Sequence, residues 1–513
     1  MLAALGLLTA CELEDDLPEA PRLFRPVVKG ELKAPGNYID ASWQTVKEAV
    51  SYKVQISQDT FRTILTNMDV DTSNAVFENL EWDKSYQIQV RANAADTTKN
   101  SRMSFLGSIK TPKFPSILTT PTINDVTDGA AKVSWTNSGV AVTSIKVLRA
   151  SDRSLVREIT LTAQDVTNQY RVVAGLTGST SYIMELYSGT ALRGYETYTT
   201  KVPLSGNLVD LRDISGRPSV LADTILDVPS GSTIILKRGE TYNISSAINL
   251  NKAVTILSGS DLMEPNLATI FFTNNFTFED KSNIDFIDFK EVVLRGESYG
   301  SNYIFNANSA ATVGRISFES CHAEIFRGVV RLRGALTVDN FVINKCVVDS
   351  ISNYGVLSVD DVLSKVNNIS ITNSTMYKVE KIITSRQNST TVLFDNLTIN
   401  EAPWGGNYLI DYSTSGTNNV TGGIKIYNTI LGIGKSNAGN RAIRGYRAGS
   451  NTSVDVNNTF VTADQVFTSN PFPGVTAYSK TSFDLFETPK AGNFKIKDTS
   501  FAGKATAGDP RWR

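Results

Sequence analysis

Arginine and aspartate recur at similar places in a set of short apolar stretches near the C-terminus. Arg331 and Arg333 lie in VVRLRG, Ser358 and Asp360 in GVLSVD, and Arg386 in KIITSR. Asp411 follows in YLIDYS, then Arg444 in RAIRGY with Arg447 just beyond it. A guanidinium holds a carboxylate through two parallel hydrogen bonds, so a row of arginines suits an acidic glycan. The same row can instead neutralise itself, because Arg and Asp on neighbouring strands pair with each other. Aromatic side chains accompany the charges: Trp404, Tyr408 and Tyr412 in EAPWGGNYLIDY, and Tyr446 one stretch later. An exposed ring can stack on the C–H face of a sugar, or simply cover the edge of the fold. The candidate binding residues of these stretches are Arg331, Arg333, Asp360, Arg386, Trp404, Tyr408, Asp411, Tyr412, Arg444, Tyr446 and Arg447.

Other chemistry is poorly supplied. The chain has one histidine, His322, which excludes any mechanism needing two and argues against a histidine-based zinc site. No motif places paired carboxylates at the separation a glycoside hydrolase needs.

The charged stretches belong to a repeat. Six corner segments precede them: ISFESC from Ile316, FVINKC from Phe341, ISITNS from Ile369, VLFDNL from Val392, IKIYNT from Ile424 and VDVNNT from Val454. Their spacings are 25, 28, 23, 32 and 30 residues, and one further strand is expected after each corner. Repeats of this length with short strands mark a solenoid, in which one unit cannot bury its apolar side alone. The corners lack the Asn-Gly or Gly-X pairs of hairpins, so they should turn the chain sideways and not back. Asn373, Asn396, Asn428 and Asn458 share one corner position and are expected to stack as a ladder, which Ser320 and Lys345 interrupt. Cys321 and Cys346 fall one repeat apart. Parallel side chains one strand spacing apart keep their Cβ atoms too far apart for an easy disulfide, so two stacked buried thiols are expected.

These corners and strands, with the upstream segment GSTIILKRGETYNISSAINLNKAVTILSGS, resemble the pectate-lyase-like right-handed parallel β-helices, over roughly residues 206–513. Ile234, Leu236, Ile244, Ile248, Leu250, Val254 and Ile256 would then face inward or cap the open end. In that family an Asn-bearing corner lies between the second and third sheets, and polysaccharide binds along the first. With that register the strand after each corner faces the groove. The resemblance also implies a lyase alternative: Arg386 would be the base, and Asp360, Asp361 and Asp411 the nearest carboxylates for a calcium cofactor. The acidic cluster is incomplete, so binding is expected before catalysis, with no cofactor.

The first two hundred residues read differently. Trp43 in IDASWQ, SYKVQIS and then LEWDKSYQIQVRA place Leu80 six residues before Tyr86. Trp135 in AKVSWT, SIKVLRA and LTGSTSYIMELY repeat the pattern with Leu176 and Tyr182. A buried strand tryptophan and a tyrosine whose hydroxyl returns to the backbone describe a tyrosine-corner sandwich. Both segments, 21–113 and 114–205, resemble fibronectin type III domains. The fold class is thus all-β, two sandwiches followed by a parallel β-helix at 206–513.

At 513 residues the chain suits about three domains, and its net charge of -1 argues against nucleic-acid partners. No apolar run reaches the ~18 residues of a membrane-spanning helix. The opening MLAALGLLTACELEDD has a short apolar run ending in Leu-Thr-Ala-Cys, and resembles a bacterial lipobox with Cys11 as the lipidated residue. Its basic lead is missing, so the true start is expected upstream. Glu12, Glu14, Asp15 and Asp16 resemble the export signal of surface lipoproteins in Gram-negative glycan-degrading anaerobes, so residues 1–20 are expected to be signal and tether. Anchor, sandwiches and solenoid together resemble surface lipoproteins of polysaccharide-utilisation loci, whose helical part is a domain of unknown function. The resemblance implies a surface glycan-binding lipoprotein, anchored in the outer membrane, that takes a polysaccharide as partner for an outer-membrane uptake complex. The alternatives are a polysaccharide lyase or hydrolase, and a structural or adhesive scaffold.

Overall fold

The computed structural model describes residues 22–412 and 417–513. Cys11 and the acidic stretch after it lie outside the described residues. The chain divides into two compact units, one made largely of residues before 200 and the other chiefly of 200–513.

The first unit contains the sandwiches. In the first, Ile39–Ser42 pairs with Asn74–Phe77, and a second sheet runs Thr66–Val70, Ser51–Ser57, Ser85–Asn93, Ser104–Lys110. SYQIQVRAN alternates buried and half-exposed residues, as a strand with one face on a core must. Trp43 is fully buried with its ring edge-on to Tyr52 at 5.3 Å, and the Tyr86 hydroxyl accepts the Glu81 N–H at 2.9 Å. That bond is the expected tyrosine corner. The second sandwich has the four-stranded sheet Ala191–Thr199, Ser181–Ser188, Ser144–Arg149, Leu155–Thr160, and buries Trp135 and Tyr182.

The second unit is a parallel β-solenoid. Each full coil has three strands where the sequence pattern gave two. Face A carries the strand before each corner, such as Lys365–Thr372. Face B carries a short strand directly after it, here Thr375–Val379, and face C the next, Ile383–Ser385. In two coils, B and C are one bent strand, His322–Leu332 and Val347–Val359. The bend in the latter needs Gly355: its φ is +70°, and a Cβ there would stand 2.3 Å from the Lys381 carbonyl oxygen. The charged stretches therefore lie on face C and not on the strand directly after the corner.

The corners themselves are as expected. Ser320, Lys345, Asn373, Asn396, Asn428 and Asn458 all adopt left-handed φ, between 46° and 56°. The asparagine ladder is shorter than the pattern suggested. Asn458 Nδ2 donates to Asn428 Oδ1 at 2.7 Å, but Asn428 donates to Asp395 and Asn373 to Asn344, while Asn396 accepts from Arg513. A second ladder runs just inside. Cys321, Cys346, Ser374, Thr429 and Thr459 each donate a thiol or hydroxyl to the carbonyl two residues back. Both cysteines are free and buried, and burial pushes the Cys321 thiol up.

The expected inward residues, Ile234 to Ile256, all belong to one continuous core with residues as distant as Ile443 and Phe472. A short helix, Val220–Thr224, buries Val220 and Leu221 in that core. At the other end the chain folds back over face B. Leu485, Phe486, Phe494, Ile496 and Phe501 form a separate apolar cluster against Ile430 and Phe460.

Candidate functional site

Face C presents one outward column that the pairing register fixes: Asn306, Arg331, Ser358, Thr384, Asp411, Arg447. Its neighbours in each strand point inward, because successive strand residues alternate. Two expected site residues therefore fall on the wrong side. Tyr412 follows Asp411 and is fully buried, with its hydroxyl pushed up by burial. Tyr446 pairs with the buried Ile410 and stacks on Phe472 at 5.7 Å. The alternation around Asp411 was the available signal.

The arginines and aspartates largely meet each other. Asp411 takes a fork from Arg447, Nε at 2.7 Å and Nη2 at 2.9 Å, which holds the guanidinium above its ordinary pKa. Asp360 accepts from Arg331 Nε at 2.9 Å and faces Arg386 Nη2 at 3.3 Å. The Arg331 guanidinium also lies 3.8 Å over the Tyr354 ring. Burial alone would lower the Arg331 pKa, but Asp360 outweighs it and raises it. Arg333 continues the row, half-buried, its Nε without a hydrogen-bond partner among the described residues. Asp361 turns away to accept the Leu363 N–H at 2.8 Å.

Not every cation is neutralised. Lys381 and Arg444 have no carboxylate partner among the described residues, and both line a shallow concavity of about 120 Å³ with Thr384, Asn407, Tyr408 and Asp411. Arg444 and Arg447 approach the Tyr408 ring at 5.3 and 4.8 Å. The concavity thus offers two cations without carboxylate partners, an aromatic ring, the Asp411–Arg447 pair and the polar groups of Thr384 and Asn407, a set fitted to an anionic, hydroxyl-rich ligand.

Trp404 lies off this face. It occupies the bend between faces B and C, where its indole N–H donates to the Ser436 carbonyl at 2.7 Å. Beside it Glu380, nearly buried, accepts from the Tyr299 hydroxyl at 2.6 Å and from Lys435 at 2.9 Å. Burial, and then Glu380, raise the Tyr299 pKa well above its usual value. Residues from distant coils are tied together there, which no local pattern in the sequence could reveal.

Face B carries a third cluster. His322 Nε2 lies 2.7 Å from Asp349 Oδ2, Glu324 pairs with Arg295, and the three potential ligand atoms of His322, Glu324 and Asp349 lie within 4.8 Å of one another. Next along the same face the C-terminal segment, residues 482–513, takes over as a strap. The buried Asp509 accepts from Thr375 Oγ1 at 2.7 Å, and Trp512 Nε1 donates to the same hydroxyl at 2.7 Å. The sequence AGDPRWR is thus a latch on face B.

Residues 369–512 match the model of DUF5123, a domain of unknown function, and residues 240–379 match that of DUF4957, also of unknown function. The two matches meet at the Asn373 coil, inside one unbroken solenoid whose face A strand Lys365–Thr372 pairs with a neighbour on each side. No curated protein matches the chain. Among solved structures, it is similar to the FN1–FN3 domains of chicken CNTN1, with 14% identity, 36% of this chain and 69% of that one covered, and a TM-score of 0.16. It is likewise similar to a two-domain fibronectin type III segment of chicken tenascin, with 17% identity, coverages of 35% and 100%, and a TM-score of 0.17. The sandwich fold rests on the strand order and buried tryptophans described above.

Proposed function

We propose that this protein is a surface glycan-binding lipoprotein that captures an acidic, uronate-containing polysaccharide on face C of the solenoid, anchored through Cys11 and serving an outer-membrane glycan-uptake system. The observation that carries this reading is the pair Lys381 and Arg444, left without carboxylate partners among the described residues in a concavity floored by Tyr408. A carboxylate entering there gains charge-assisted hydrogen bonds without displacing an internal counter-ion, and each is worth about 1.5–3 kcal/mol. Counted from the corner between A and B, face C also falls where the first sheet of a pectate-lyase-like helix would bind polysaccharide.

Binding is favoured over cleavage because the groups a lyase would use are already engaged. Arg386 sits in an ion pair with Asp360, and Asp411 is forked by Arg447. Electrophoresis of the protein with Cys11→Ser through native gels containing acidic or neutral polysaccharides tests the reading. Retarded migration only in acidic gels, with the polymer left intact, is the expected result. A cleared zone would establish catalysis, and unhindered migration in every acidic gel would rule the proposal out.

A further inference from the structure

The charges on face C are unevenly spread along the solenoid axis. Cations stand on alternate coils: Arg327, Arg331 and Arg333 after the Ser320 corner, Lys381 and Arg386 after Asn373, Arg444 and Arg447 after Asn428. The coils between carry a tyrosine and a face C carboxylate, Tyr354 with Asp360 and Tyr408 with Asp411. Asp360 accounts for Arg331 and Arg386, and Asp411 for Arg447. What remains on each cationic coil is at least one cation without a carboxylate partner among the described residues: Arg327 and Arg333 on the first, Lys381 on the second and Arg444 on the third. Arg327, Lys381 and Arg444 fall close to one line: Arg444 pairs in register with Tyr408, Lys381 sits two residues before the partner of Ile410, and Arg327 adjoins Gly328, which pairs with Gly355. Arg327 also lies 4.9 Å over the Tyr354 ring.

The row therefore reads cation, tyrosine, cation, tyrosine, cation. Its period is two coils, about 9.6 Å at the strand spacing of a sheet. One sugar of an extended glycan advances by about the same distance as one coil. A chain lying along the axis meets a free cation at every second sugar, and between them a tyrosine beside a carboxylate. That carboxylate is already held by arginines, so an anionic group placed opposite it loses water without gaining a free cation, and the intervening coils select against charge by desolvation.

We infer that face C recognises a polysaccharide with one anionic group per disaccharide, in preference to a polymer charged on every sugar. This rests on the acidic-glycan reading of face C. The test compares the Cys11→Ser protein in native gels of hyaluronate, with one carboxylate per disaccharide, polygalacturonate, with one on every sugar, and dextran, with none. At equal carboxylate concentration and ionic strength, hyaluronate should bind more tightly than polygalacturonate by about tenfold, the effect of one charge-assisted hydrogen bond. Lys381→Gln removes the middle cation and should erase that advantage. A κ-carrageenan gel, with one sulfate per disaccharide, separates the two anions: retention equal to hyaluronate means that spacing alone is read, and weaker retention means that carboxylate is preferred. Equal or tighter binding of polygalacturonate overturns the spacing and leaves acidic-glycan binding standing. No retention by any acidic polymer overturns both.

Discussion

Faces B and C are built by consecutive strands of the same coils, yet one becomes interior and the other surface. On face B the outward column passes through Thr375, Thr398, Ile430 and Phe460, all buried beneath the C-terminal segment. On face C the equivalent positions are Arg331, Ser358, Thr384, Asp411 and Arg447, and all but the small Ser358 keep partial exposure. Without its cover, face B would present a run of apolar side chains to water, the kind of patch that invites association. Its fate is fixed by the needs of folding. Face C has no such need, since its outward groups are charged or polar and leave no apolar patch to cover. Charge placed there without stabilising the fold is informative about a ligand.

This contrast can be broken most severely from the face B side. Deleting residues 482–513 removes Leu485, Phe486, Phe494, Ile496 and Phe501, each worth ~1.5–3 kcal/mol when buried. Thermal unfolding should then show the solenoid destabilised by more than ~5 kcal/mol, with apolar dye binding at Ile430 and Phe460. Phe494→Ala, which makes a cavity between Tyr377, Phe486 and Trp512, should cost ~3–5 kcal/mol by calorimetry and leave polysaccharide retention unchanged. Asp509→Ala leaves the Thr375 hydroxyl and the Arg511 N–H short of an acceptor and should cost ~1–3 kcal/mol, seen as faster proteolysis of the tail.

The same carboxylate sharpens the comparison through pH. Burial raises the Asp509 pKa, so the folded latch holds its proton more tightly than the unfolded chain does. Its contribution is therefore most favourable below the ordinary carboxylate value and declines as pH rises through the raised one. Proteolysis of the tail should quicken over that rise, and Asp509→Asn should flatten the dependence. The smallest effect on stability belongs to face C: Lys381→Gln should shift unfolding by less than ~0.5 kcal/mol while weakening retention in acidic gels. A large loss of stability in that variant would show that face C is structural after all.

The solenoid and its corners were legible because left-handed φ restricts side-chain choice and apolar alternation marks a buried face. Face B was not. HAEIF, VVDSI and TMYKV are short, and the later strands shrink to Ile430–Leu431 and Phe460–Val461, apolar on both sides because the strap covers them. That cover comes from residues far along the chain, so no local window reveals it. Arg331, Asp360, Asp411 and Arg447 were found from repeat spacing, but Lys381 was passed over although it opens KIITSR. Tyr412 and Tyr446 are aromatic, but strand alternation turns both toward the core.

The two-coil rhythm of face C also constrains how such a chain can change length. Solenoids lengthen or shorten by whole coils, and one coil more or less costs little in packing because each coil touches only its neighbours. Inserting a single coil between the Asn373 and Asn428 corners would bring two like coils together and throw everything downstream out of phase. Adding coils in pairs would keep the sequence of cation and tyrosine intact. The increment that keeps face C in phase is therefore a double coil, even though the unit of folding is a single one.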